Sequence, residues 1–597
     1  MHAHLPPLRE YRFVLHEVLA IHTHAEIAGY ADLSQDTTEA VLSEAERIAA
    51  EVLQPLNAVG DRQGCRLENG VVYTPEGFRR AYDLFREGGW SGLEADPEWG
   101  GQGMPAALGL SVGTLKSAAN MGLMMYHGLS SGAYRTLAAH GSEAQKRTYL
   151  PPLASGAWMG TMNLTEPQCG TDLGLVKTRA EPAPDGSYRI TGQKIWISAG
   201  EHDLAENIVH LVLARTPEAP AGTKGLSLFV VPKFLVDEEG RLGARNALAC
   251  TGLERKMGIH SSATCAMSYD GATGWLVGEE GRGLAQMFTM MNHARLLVGM
   301  QGLAVAQAAH AQASAHAHER LQGRAVDGVA NPDGPADPLV VHADVRRMLL
   351  EQKAFTEGGL AFLTWVATLL DAEARHEDPE ERKRAGALLA LLTPVAKGYL
   401  TEEGFRTTVL AQQVLGGAGY VADVGLEQLA RDVRITTVYE GTTGIQALDL
   451  VGRKLGAGGG AAVRAFFATV KEEVADDAGD PWLRDHMLTP LQAAAKDLEK
   501  ATLFFASHGL KNPNAALAGA TDFLHLFGLV CMGVSWARMA RTATKALATG
   551  TEEAPYYAAK RATARFFAAR MLPETQLRLV RIETGAEPVM EPAAAAL

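Results

Sequence analysis

The sequence predicts a mainly α-helical protein with a β-domain near its middle and an additional helical module at its C-terminal end. Apolar residues recur at helical spacing from residue 36 to about 155 and again beyond residue 284. Between these blocks lie strand-like runs separated by turn residues. A glycine-rich stretch at 456–460 then divides the second helical block from more alanine-rich helical sequence. The predicted order is therefore helical, β, helical and again helical.

These changes in pattern set the expected domain boundaries. A chain of 597 residues is long enough for several domains, each with its own core. We expect an N-terminal arm at 1–35, an N-terminal α-helical domain at 36–157, a middle β-domain at 158–282, a C-terminal helical bundle domain at 283–455 and an additional C-terminal helical domain at 461–597.

Within these domains, the local pattern predicts individual elements. Asp36 followed by Glu39 has the spacing of a capping box and predicts the start of the first long helix. Asp185-Gly186 and Asp270-Gly271 are turn signals between strands. Strands are predicted at 190–198, 207–215 and 226–232, and long helices at 339–375 and 384–416.

Charge and cysteine content disfavour several classes of protein. The formal net charge of −13 argues against a dedicated nucleic-acid binder, which carries a basic footprint. The five cysteines form no Cys-x-x-Cys pair, so we expect a reducing, cytoplasmic compartment with neither disulfides nor a structural metal. The N-terminus lacks the apolar region of a secretory signal. The longest apolar stretch, 524–536, is shorter than the roughly 18 residues of a membrane helix and predicts a buried helix. His16, His22 and His24 are possible metal ligands, but an exposed arm is the simpler interpretation.

Two segments of the β-block carry groups that suit a flat ring with a polar edge. The segment 162–172 combines hydroxyl residues with proline and glycine, so it offers side-chain and backbone donors, although an ordinary interdomain turn has the same composition. Trp196 and Ser198 fall on one face of a strand, because strand side chains alternate with period two. An aromatic plane beside a hydroxyl suits a stacked heterocycle; the alternative is that Trp196 is simply part of the core.

Three further segments lie in the second helical block. Glu440 stands between Tyr439 and a stretch of glycine and hydroxyl residues, which suits a carboxylate presented to a ligand; the alternative is an ordinary acidic loop residue. The segment 413–420 is rich in glycine but has neither the G-x-G-x-x-G pattern nor a preceding strand, so a Rossmann fold is disfavoured. Arg320 and Arg324 close a helix with cations, either as a pyrophosphate clamp or through the helix dipole.

Four of these segments carry the signatures of a known family. They are N-L-T-E-P-x-x-G-[ST]-D at 163–172, G-x-K-x-W-I-[ST] at 192–198, Q-x-L-G-G-x-G-[YF] at 413–420 and Y-E-G-T at 439–442. On these motifs, in this order, the chain resembles the acyl-CoA dehydrogenase family over residues 36–455. The resemblance implies an N-terminal helical domain, a β-barrel-like domain and a C-terminal four-helix bundle. A finer resemblance to 3-methylmercaptopropionyl-CoA dehydrogenases rests on the additional C-terminal helical domain and on the segments 7–10, 13–15, 345–350 and 439–454.

The resemblance implies non-covalent FAD and the α,β-dehydrogenation of an acyl-CoA thioester. Glu440 corresponds to the base that removes the α-proton, while the β-hydrogen leaves as hydride to flavin N5. Ala294 stands where some relatives carry the base, and it cannot act as one. Substrate contacts are expected from Thr171, Asn292, Arg295 and Gly441. FAD contacts are expected from Met162, Leu164, Thr165, Gly170, Thr171, Trp196, Ser198, Arg320, Gln322, Gln413, Gly416, Gly417, Thr442 and Gly444.

The resemblance also implies partners and leaves alternatives open. An electron-transfer flavoprotein is the expected electron acceptor and a homodimer the expected assembly, with neither nucleic acid nor membrane as partner. The finer resemblance implies 3-(methylthio)propanoyl-CoA as substrate; a short or medium straight-chain acyl-CoA is the alternative. Two other activities are an acyl-CoA oxidase and a DNA-associated flavoprotein of the same fold. The DNA-associated alternative draws on the basic C-terminal residues Arg538, Arg541, Lys545, Lys560, Arg561 and Arg565, against the acidic total and the intact Glu440.

Overall fold

The computed structural model describes residues 5–237, 239–477, 479–509 and 512–596, which form two compact units. We call the first the helical unit; it comprises the chain up to Glu44, Ala106–Ala118 and the chain from Val298 onward. We call the second the mixed unit; it comprises Ala45–Pro105 and Ala119–Leu297.

The elements confirm the predicted combination of helices with a middle β-domain. The helices are α1 (Leu8–Arg12), α2 (Gln35–Ile48), α3 (Asn57–Gln63), α4 (Phe78–Glu87), α5 (Ala106–His140), α6 (Glu143–Ala154), α7 (Gly283–Glu319), α8 (Ala343–Arg375), α9 (Pro379–Leu415), α10 (Leu426–Arg434), α11 (Thr443–Asp449), α12 (Ala461–Ala475), α13 (Pro481–Leu483), α14 (Thr489–His508), α15 (Pro513–Thr549), α16 (Ala554–Arg570), α17 (Glu574–Glu583) and α18 (Glu587–Met590). The strands are β1 (Arg66–Glu68), β2 (Val71–Tyr73), β3 (Trp158–Asn163), β4 (Arg179–Pro182), β5 (Tyr188–Ser198), β6 (Asn207–Ala214), β7 (Ser227–Pro232), β8 (Phe234–Val236), β9 (Leu242–Arg245), β10 (Leu248–Leu253) and β11 (Thr264–Val277).

The mixed unit is organised around a seven-stranded sheet. The strand order is β3-β6-β7-β11-β5-β4, with β10 also paired to β11. The β3–β6 pairing is parallel, and the other pairings in this sheet are antiparallel. Strands β6 and β7 are buried along their whole length, as their nearly continuous apolar sequence predicts. Their side chains pack with those of α5 and α6 in a core that includes Leu137, Leu150, Leu211, Leu228 and Val230.

Strand β11 contains a bulge where the sequence predicts a turn. Asp270 pairs with Thr191 and Ala272 pairs with Ile190, so Gly271 is an extra residue in β11. Gly271 has a φ of +73°, a conformation that bulges and tight turns share. The prediction of a turn at Asp270-Gly271 is therefore wrong, and β11 continues through this position to pair with β5 and β7.

Close helix packing shapes the helical unit. A Cβ atom on Gly404 of α9 would lie 2.4 Å from the carbonyl oxygen of Gly302 on α7, so only glycine permits this approach. Helix α15 crosses α9 in the same way at Gly528, where a Cβ atom would lie 2.3 Å from the ring of Tyr399. The C-terminal helices are therefore packed directly on α9.

Helix α15 has the length and composition of a membrane-spanning helix within the described residues. Its most apolar 18-residue window has a mean hydropathy of 1.6, and 78% of that window is buried inside the protein. A long apolar helix surrounded by other helices is typical of a protein core. The prediction of a buried helix at 524–536 is confirmed.

The N-terminal segment is folded and packed. Residues 8–18 form α1 and a following π-helical turn, and Tyr11, Phe13 and Leu15 have no exposed surface. The Tyr11 hydroxyl donates a hydrogen bond to Gln307 Oε1 at 2.9 Å. The prediction of an exposed arm is wrong for this segment, because a helix too short to be stable alone is stabilised by the helices it contacts.

The first long helix begins with a different cap from the one predicted. Helix α2 starts directly after Ser34, whose Oγ accepts a hydrogen bond from the backbone N–H of Thr37 at 3.1 Å. Ser34 is therefore the cap, and the prediction that Asp36 caps this helix is wrong. Glu39, the expected second member of the capping box, forms an ion pair with Arg12.

Candidate active site

Glu440 lies in the short loop between α10 and α11. The residue is half-buried, and its backbone φ is +56°, in the left-handed region. A non-glycine residue held in a sparsely populated region costs about 1–3 kcal/mol and persists only where its surroundings fix it. Gly441 follows with a φ of +86°, and a Cβ atom there would lie 2.8 Å from Gln446 Nε2. The chain therefore turns sharply at the carboxylate, and the next position requires glycine.

Two buried side chains hold the backbone of this loop. Lys397 Nζ on α9 donates a hydrogen bond to the carbonyl oxygen of Gly441 at 2.7 Å. Gln446 Nε2 on α11 donates to the carbonyl oxygens of Glu440 and Gly441 at 3.0 and 3.3 Å. The carbonyl groups of the carboxylate residue and of its neighbour are thus both bonded within the helical unit.

The residues on either side of Glu440 are also fixed. The Tyr439 hydroxyl donates a hydrogen bond to Gln301 Oε1 on α7. Burial, together with the charge of Glu440, raises the pKa of Tyr439 far above its usual range, so this hydroxyl stays protonated at physiological pH. The side chain of Thr442 caps α11. Thr442 and Gly444 are both exposed, as the expected FAD contacts require.

The glycine-rich segment ends α9 beside the end of α7. Gln413, Gly416 and Gly417 are exposed, as are Arg320 and Gln322. A Cβ atom on either glycine would have no other atom within 4 Å, so the backbone is open to a ligand. An apolar cluster joins the ends of α7, α8, α9 and α10 and includes Ala317, Met348, Leu415 and Leu426. The structure therefore brings the two predicted halves of the clamp to the C-terminal ends of α7 and α9.

One carboxylate fixes the polar insertion that follows α7. Asp337 is fully buried and accepts hydrogen bonds from the backbone N–H groups of Ala325 and Asn331 at 2.8 and 2.7 Å. These bonds, led by that from Ala325, lower the pKa of Asp337 to about 2. The N–H of Gln322 donates to the carbonyl oxygen of Asp337 at 2.9 Å. The segment that begins with Arg320 therefore has a defined backbone.

In the mixed unit, a buried ion pair fixes the loop after β3. Lys194 Nζ on β5 lies 2.9 Å from Glu166 Oε1, and it donates to the carbonyl oxygen of Leu164 at 3.0 Å. The backbone N–H of Ile195 donates to the carbonyl oxygen of Thr165 at 2.9 Å. The expected FAD contacts Leu164 and Thr165 are thus held against β5.

The expected contacts of this loop differ in exposure. Gly170 and Thr171 are exposed, whereas Met162 and Thr165 are half-buried. Leu164 is 8% exposed and belongs to the core of the mixed unit, so it offers the least side-chain surface to a ligand.

A β-bulge turns Trp196 outward. The pairing of β5 with β11 shows one extra residue in β5 between Lys194 and Ile197. Trp196 has a φ of +59° and is 61% exposed, so the alternative that it is part of the core is wrong. Ile197 is buried and Ser198 is half-buried. Trp196 and Ser198 therefore share the open side of β5, as predicted, although a bulge precedes them.

The expected CoA contacts lie on the first half of α7. Asn292 is exposed, while Arg295, one turn later, is 4% exposed with its guanidinium 5.9 Å from the ring centroid of Phe288. Asn292 is therefore open to a ligand, and Arg295 is enclosed by protein. Ala294, at the alternative position of the base, is buried and carries no ionisable group.

Several basic residues of the C-terminal helices are held in ion pairs. Arg538 and Arg541 lie 2.6 and 2.7 Å from the carboxylate of Glu473. Lys560 is buried and lies 2.8 Å from Glu357 Oε2. Cations that are paired in this way do not form a free basic surface, which argues against the DNA-associated alternative.

Three residues that hold these loops, Lys194, Lys397 and Gln446, are absent from the predicted site. Lys194 belongs to one of the motifs, but only its neighbours Trp196 and Ser198 are of the types that suit a ring. Lys397 has a recognisable signal, since a lone lysine within an apolar helical run predicts a buried cation with a partner. Gln446 has no comparable signal in the sequence.

Models of one protein family match most of the chain. The acyl-CoA dehydrogenase models for the N-terminal, middle and C-terminal domains match residues 35–157, 161–272 and 281–455. A model described as acetyl-CoA dehydrogenase C-terminal like matches residues 466–592. These matches confirm the predicted fold class, including the additional helical region at the C-terminal end.

Similar proteins extend over nearly the whole length. The 3-methylmercaptopropionyl-CoA dehydrogenase of Ruegeria pomeroyi is 42% identical, over 97% of this chain and 98% of that protein. The broad-specificity linear acyl-CoA dehydrogenase FadE5 of Mycobacterium tuberculosis is 35% identical, over 98% of each chain. An acyl-CoA dehydrogenase of Bacillus anthracis, solved in complex with FAD, shares the fold with a TM-score of 0.72 at 21% identity, covering 96% of this chain and 91% of that one. The chain therefore belongs to the acyl-CoA dehydrogenase family.

Proposed function

We propose that this protein is an FAD-dependent dehydrogenase that converts an acyl-CoA thioester to the 2-enoyl-CoA, with Glu440 as the catalytic base. The observation that carries this proposal is the left-handed backbone of Glu440, φ +56°, in a loop held by buried donors. Strain of this kind at a single polar residue clusters at functional sites. Membership of the acyl-CoA dehydrogenase family supports the class of reaction.

The residues present fit FAD as the cofactor. Trp196 offers an exposed indole and Ser198 a hydroxyl on the same open side of β5, which suits a stacked ring with a polar edge. Gly416 and Gly417 leave room for a ligand to approach the backbone, and the exposed Arg320 supplies a cation for a pyrophosphate. We infer that the strand residues hold the flavin ring, and that the residues at the ends of α7 and α9 hold its ADP part.

The chemistry requires proton removal from a weakly acidic carbon. A thioester α-proton is lost to a carboxylate only if aimed donors stabilise the charge that develops on the carbonyl group. The α C–H bond breaks and its proton passes to a carboxylate oxygen of Glu440. FAD, when bound, supplies the acceptor for the hydride that leaves the β-carbon, and a double bond remains between the α- and β-carbons. The sharp turn at Glu440 keeps its carboxylate at the position from which it acts.

We infer that the substrate is 3-(methylthio)propanoyl-CoA. This inference rests on the similar protein of Ruegeria pomeroyi, a 3-methylmercaptopropionyl-CoA dehydrogenase, at 42% identity over 97% of the chain. A straight-chain acyl-CoA is the alternative, since FadE5 of Mycobacterium tuberculosis, a broad-specificity linear acyl-CoA dehydrogenase, is 35% identical.

Partners and compartment complete the proposal. Members of the family act on acyl-CoA and pass electrons to flavoproteins. We propose an electron-transfer flavoprotein as the acceptor, a homodimer as the assembly and the cytoplasm as the compartment. The exposure of Arg320 and Gln413 supports the homodimer, because a second subunit can then complete the ADP site. The domain boundaries at 36–157, 158–282, 283–455 and 461–597 belong to the same proposal.

Anaerobic titration of the FAD-loaded protein with acyl-CoA tests this function. We expect wild-type protein to lose its visible flavin absorbance with the methylthio compound faster than with straight-chain compounds. Glu440→Gln should bind FAD and substrate but remain oxidised. Rapid bleaching of this variant would remove Glu440 from the role of base, and stoichiometric hydrogen peroxide during turnover in air would instead assign an oxidase.

A further inference from the structure

We propose that Lys397 and Gln446 are positioning residues for Glu440, which hold the backbone at the base so that its carboxylate is presented in one orientation. This inference rests on the proposed function and deepens it, since it concerns the same proton transfer. Lys397 lies on α9 and Gln446 on α11, within the same unit as the base.

Lys397 is a buried cation next to the base. It has no exposed surface, and it lies in an apolar part of α9. Moving an ammonium group from water into a protein interior costs several kcal/mol, so an apolar residue would be more stable here if packing were its only role. Its Nζ lies 2.7 Å from the carbonyl oxygen of Gly441, the residue after Glu440. A charge-assisted hydrogen bond of this length is strong enough to fix that carbonyl group.

Gln446 supports the same conclusion from the other side of the loop. Its Nε2 donates to the carbonyl oxygens of Glu440 and Gly441 at 3.0 and 3.3 Å. Its Oε1 is buried and accepts no hydrogen bond from the residues that the structure describes. A buried acceptor without a partner costs about 1–3 kcal/mol. The donor role of Nε2 therefore accounts for a glutamine at this position.

The two donors act on the strained part of the loop. Glu440 and Gly441 both have positive φ values, +56° and +86°, and both carbonyl groups receive these bonds. The Thr443 hydroxyl donates to Glu402 Oε1 at 2.6 Å, so α9 also holds the far end of the loop. Without the donors, Glu440 is free to relax toward negative φ, and its carboxylate moves. A displacement of about 1 Å in a positioned group reduces a rate roughly 100-fold.

Exchange of the α-proton isolates this step from the flavin chemistry. A 3-thia acyl-CoA carries sulfur at the β-position, so it loses an α-proton but has no β-hydride to transfer. We expect the FAD-loaded wild-type protein in deuterated water to exchange this proton, as mass spectrometry of the recovered thioester measures. Lys397→Met and Gln446→Met should each slow the exchange about 10- to 100-fold while they bind FAD and the probe as the wild type does.

Two matched variants control for the loss of a buried polar group. Lys560→Met and Gln352→Met replace a buried lysine and a buried glutamine of the same unit. Whatever these substitutions do to thermal stability, both proteins should exchange the α-proton at the wild-type rate. A crystal structure of Lys397→Met should show the φ of Glu440 outside the left-handed region.

The outcomes separate the positioning role from the proposed function. Wild-type exchange in Lys397→Met and Gln446→Met, with no exchange in Glu440→Gln, would overturn positioning and leave the base assigned. Wild-type exchange in Glu440→Gln would overturn the proposed function itself. Equal slowing in Lys560→Met would show a general loss of stability, and an unchanged φ at Glu440 in a slow Lys397→Met protein would also overturn positioning.

Discussion

Lys194 on β5 and Glu166 in the loop after β3 form a buried ion pair, with 2.9 Å between Nζ and Oε1. Burial opposes ionisation of Glu166, but the charge of Lys194 and hydrogen bonds from Thr178 and Lys177 lower its pKa to about 2. Glu166 is therefore ionised at neutral pH. The pair joins a loop with expected FAD contacts to the strand that carries Trp196.

We expect Lys194→Met to lower the free energy of unfolding by about 3–5 kcal/mol, because the Glu166 carboxylate then stays buried without its cation. The affinity for FAD should fall as well, since the loop loses its attachment to β5. Thermal unfolding and FAD titration of the purified protein measure both effects. The double variant Lys194→Met/Glu166→Gln should recover part of the stability; strictly additive losses would mean that the two side chains do not interact.

We expect Trp196→Ala to change FAD affinity rather than stability. Because Trp196 is 61% exposed, the apoprotein should lose no more than about 0.5 kcal/mol. Loss of ring stacking should weaken FAD binding about 10-fold, or roughly 1.4 kcal/mol. Ile197→Ala is the matched control, because Ile197 is buried and its truncation should cost about 2–5 kcal/mol of stability. A Trp196→Ala protein that binds FAD like the wild type would exclude Trp196 from the cofactor site.

Alternation and turn residues predict the strands of the β-domain closely. The predicted runs 190–198, 207–215 and 226–232 correspond to β5, β6 and β7. The bulges at Gly271 and Trp196 are not predictable in the same way, because positive φ at an Asp-Gly pair occurs in turns and bulges alike. Only the register against the neighbouring strand distinguishes them, and register is a long-range property.

The motifs identify the residues of the candidate site better than they identify what holds them. Glu440 stands out because glycine and hydroxyl residues follow it directly in the sequence. Lys397 lies more than forty positions earlier, and its contact with the loop exists only because α9 and α11 pack together. Leu8 and Tyr11 are buried for the same reason, since their partners lie in distant helices. Local pattern therefore predicts chemistry and element type, while tertiary support requires the fold.

Asp371 of α8 caps a second helix and titrates near neutral pH. Its carboxylate accepts hydrogen bonds from the backbone N–H groups of Ala106 and Ala107 at 2.7 and 2.9 Å, and from the Tyr30 hydroxyl at 2.9 Å. Burial nevertheless raises its pKa from 3.8 to about 6. Because the folded protein holds this proton more tightly than the unfolded chain does, the contribution to stability is fully present below the unfolded pKa. It is lost as pH rises through the folded pKa.

We therefore expect the wild type to lose stability, relative to Asp371→Asn, as pH rises from about 4 to about 7. The expected change is on the order of 3 kcal/mol, the free-energy equivalent of the shift in pKa. Denaturant unfolding of both proteins at a series of pH values measures it, and asparagine removes the titration while keeping the size of the side chain. A difference between the two proteins that is independent of pH would show that Asp371 does not titrate in this range.

Lys560 connects the N-terminal segment to two other parts of the helical unit. It is 1% exposed, and its ammonium forms ion pairs with Glu10 of α1 and Glu357 of α8. Burial and the charge of Glu357 raise the pKa of Glu10, which makes this carboxylate dependent on the cation beside it. The substitution Lys560→Met should therefore release α1 before the rest of the unit unfolds.

We expect Lys560→Met to lower the free energy of unfolding by about 3 kcal/mol and to open residues 8–18 to proteolysis under native conditions. Limited proteolysis with mass spectrometry locates the first cuts. Lys383→Met is the control, because Lys383 is 80% exposed and its ion pair with Glu380 contributes little to stability. If Lys560→Met loses stability while the first cuts fall elsewhere, the ion pairs stabilise the unit as a whole, and α1 is held by the burial of Tyr11 and Phe13 instead.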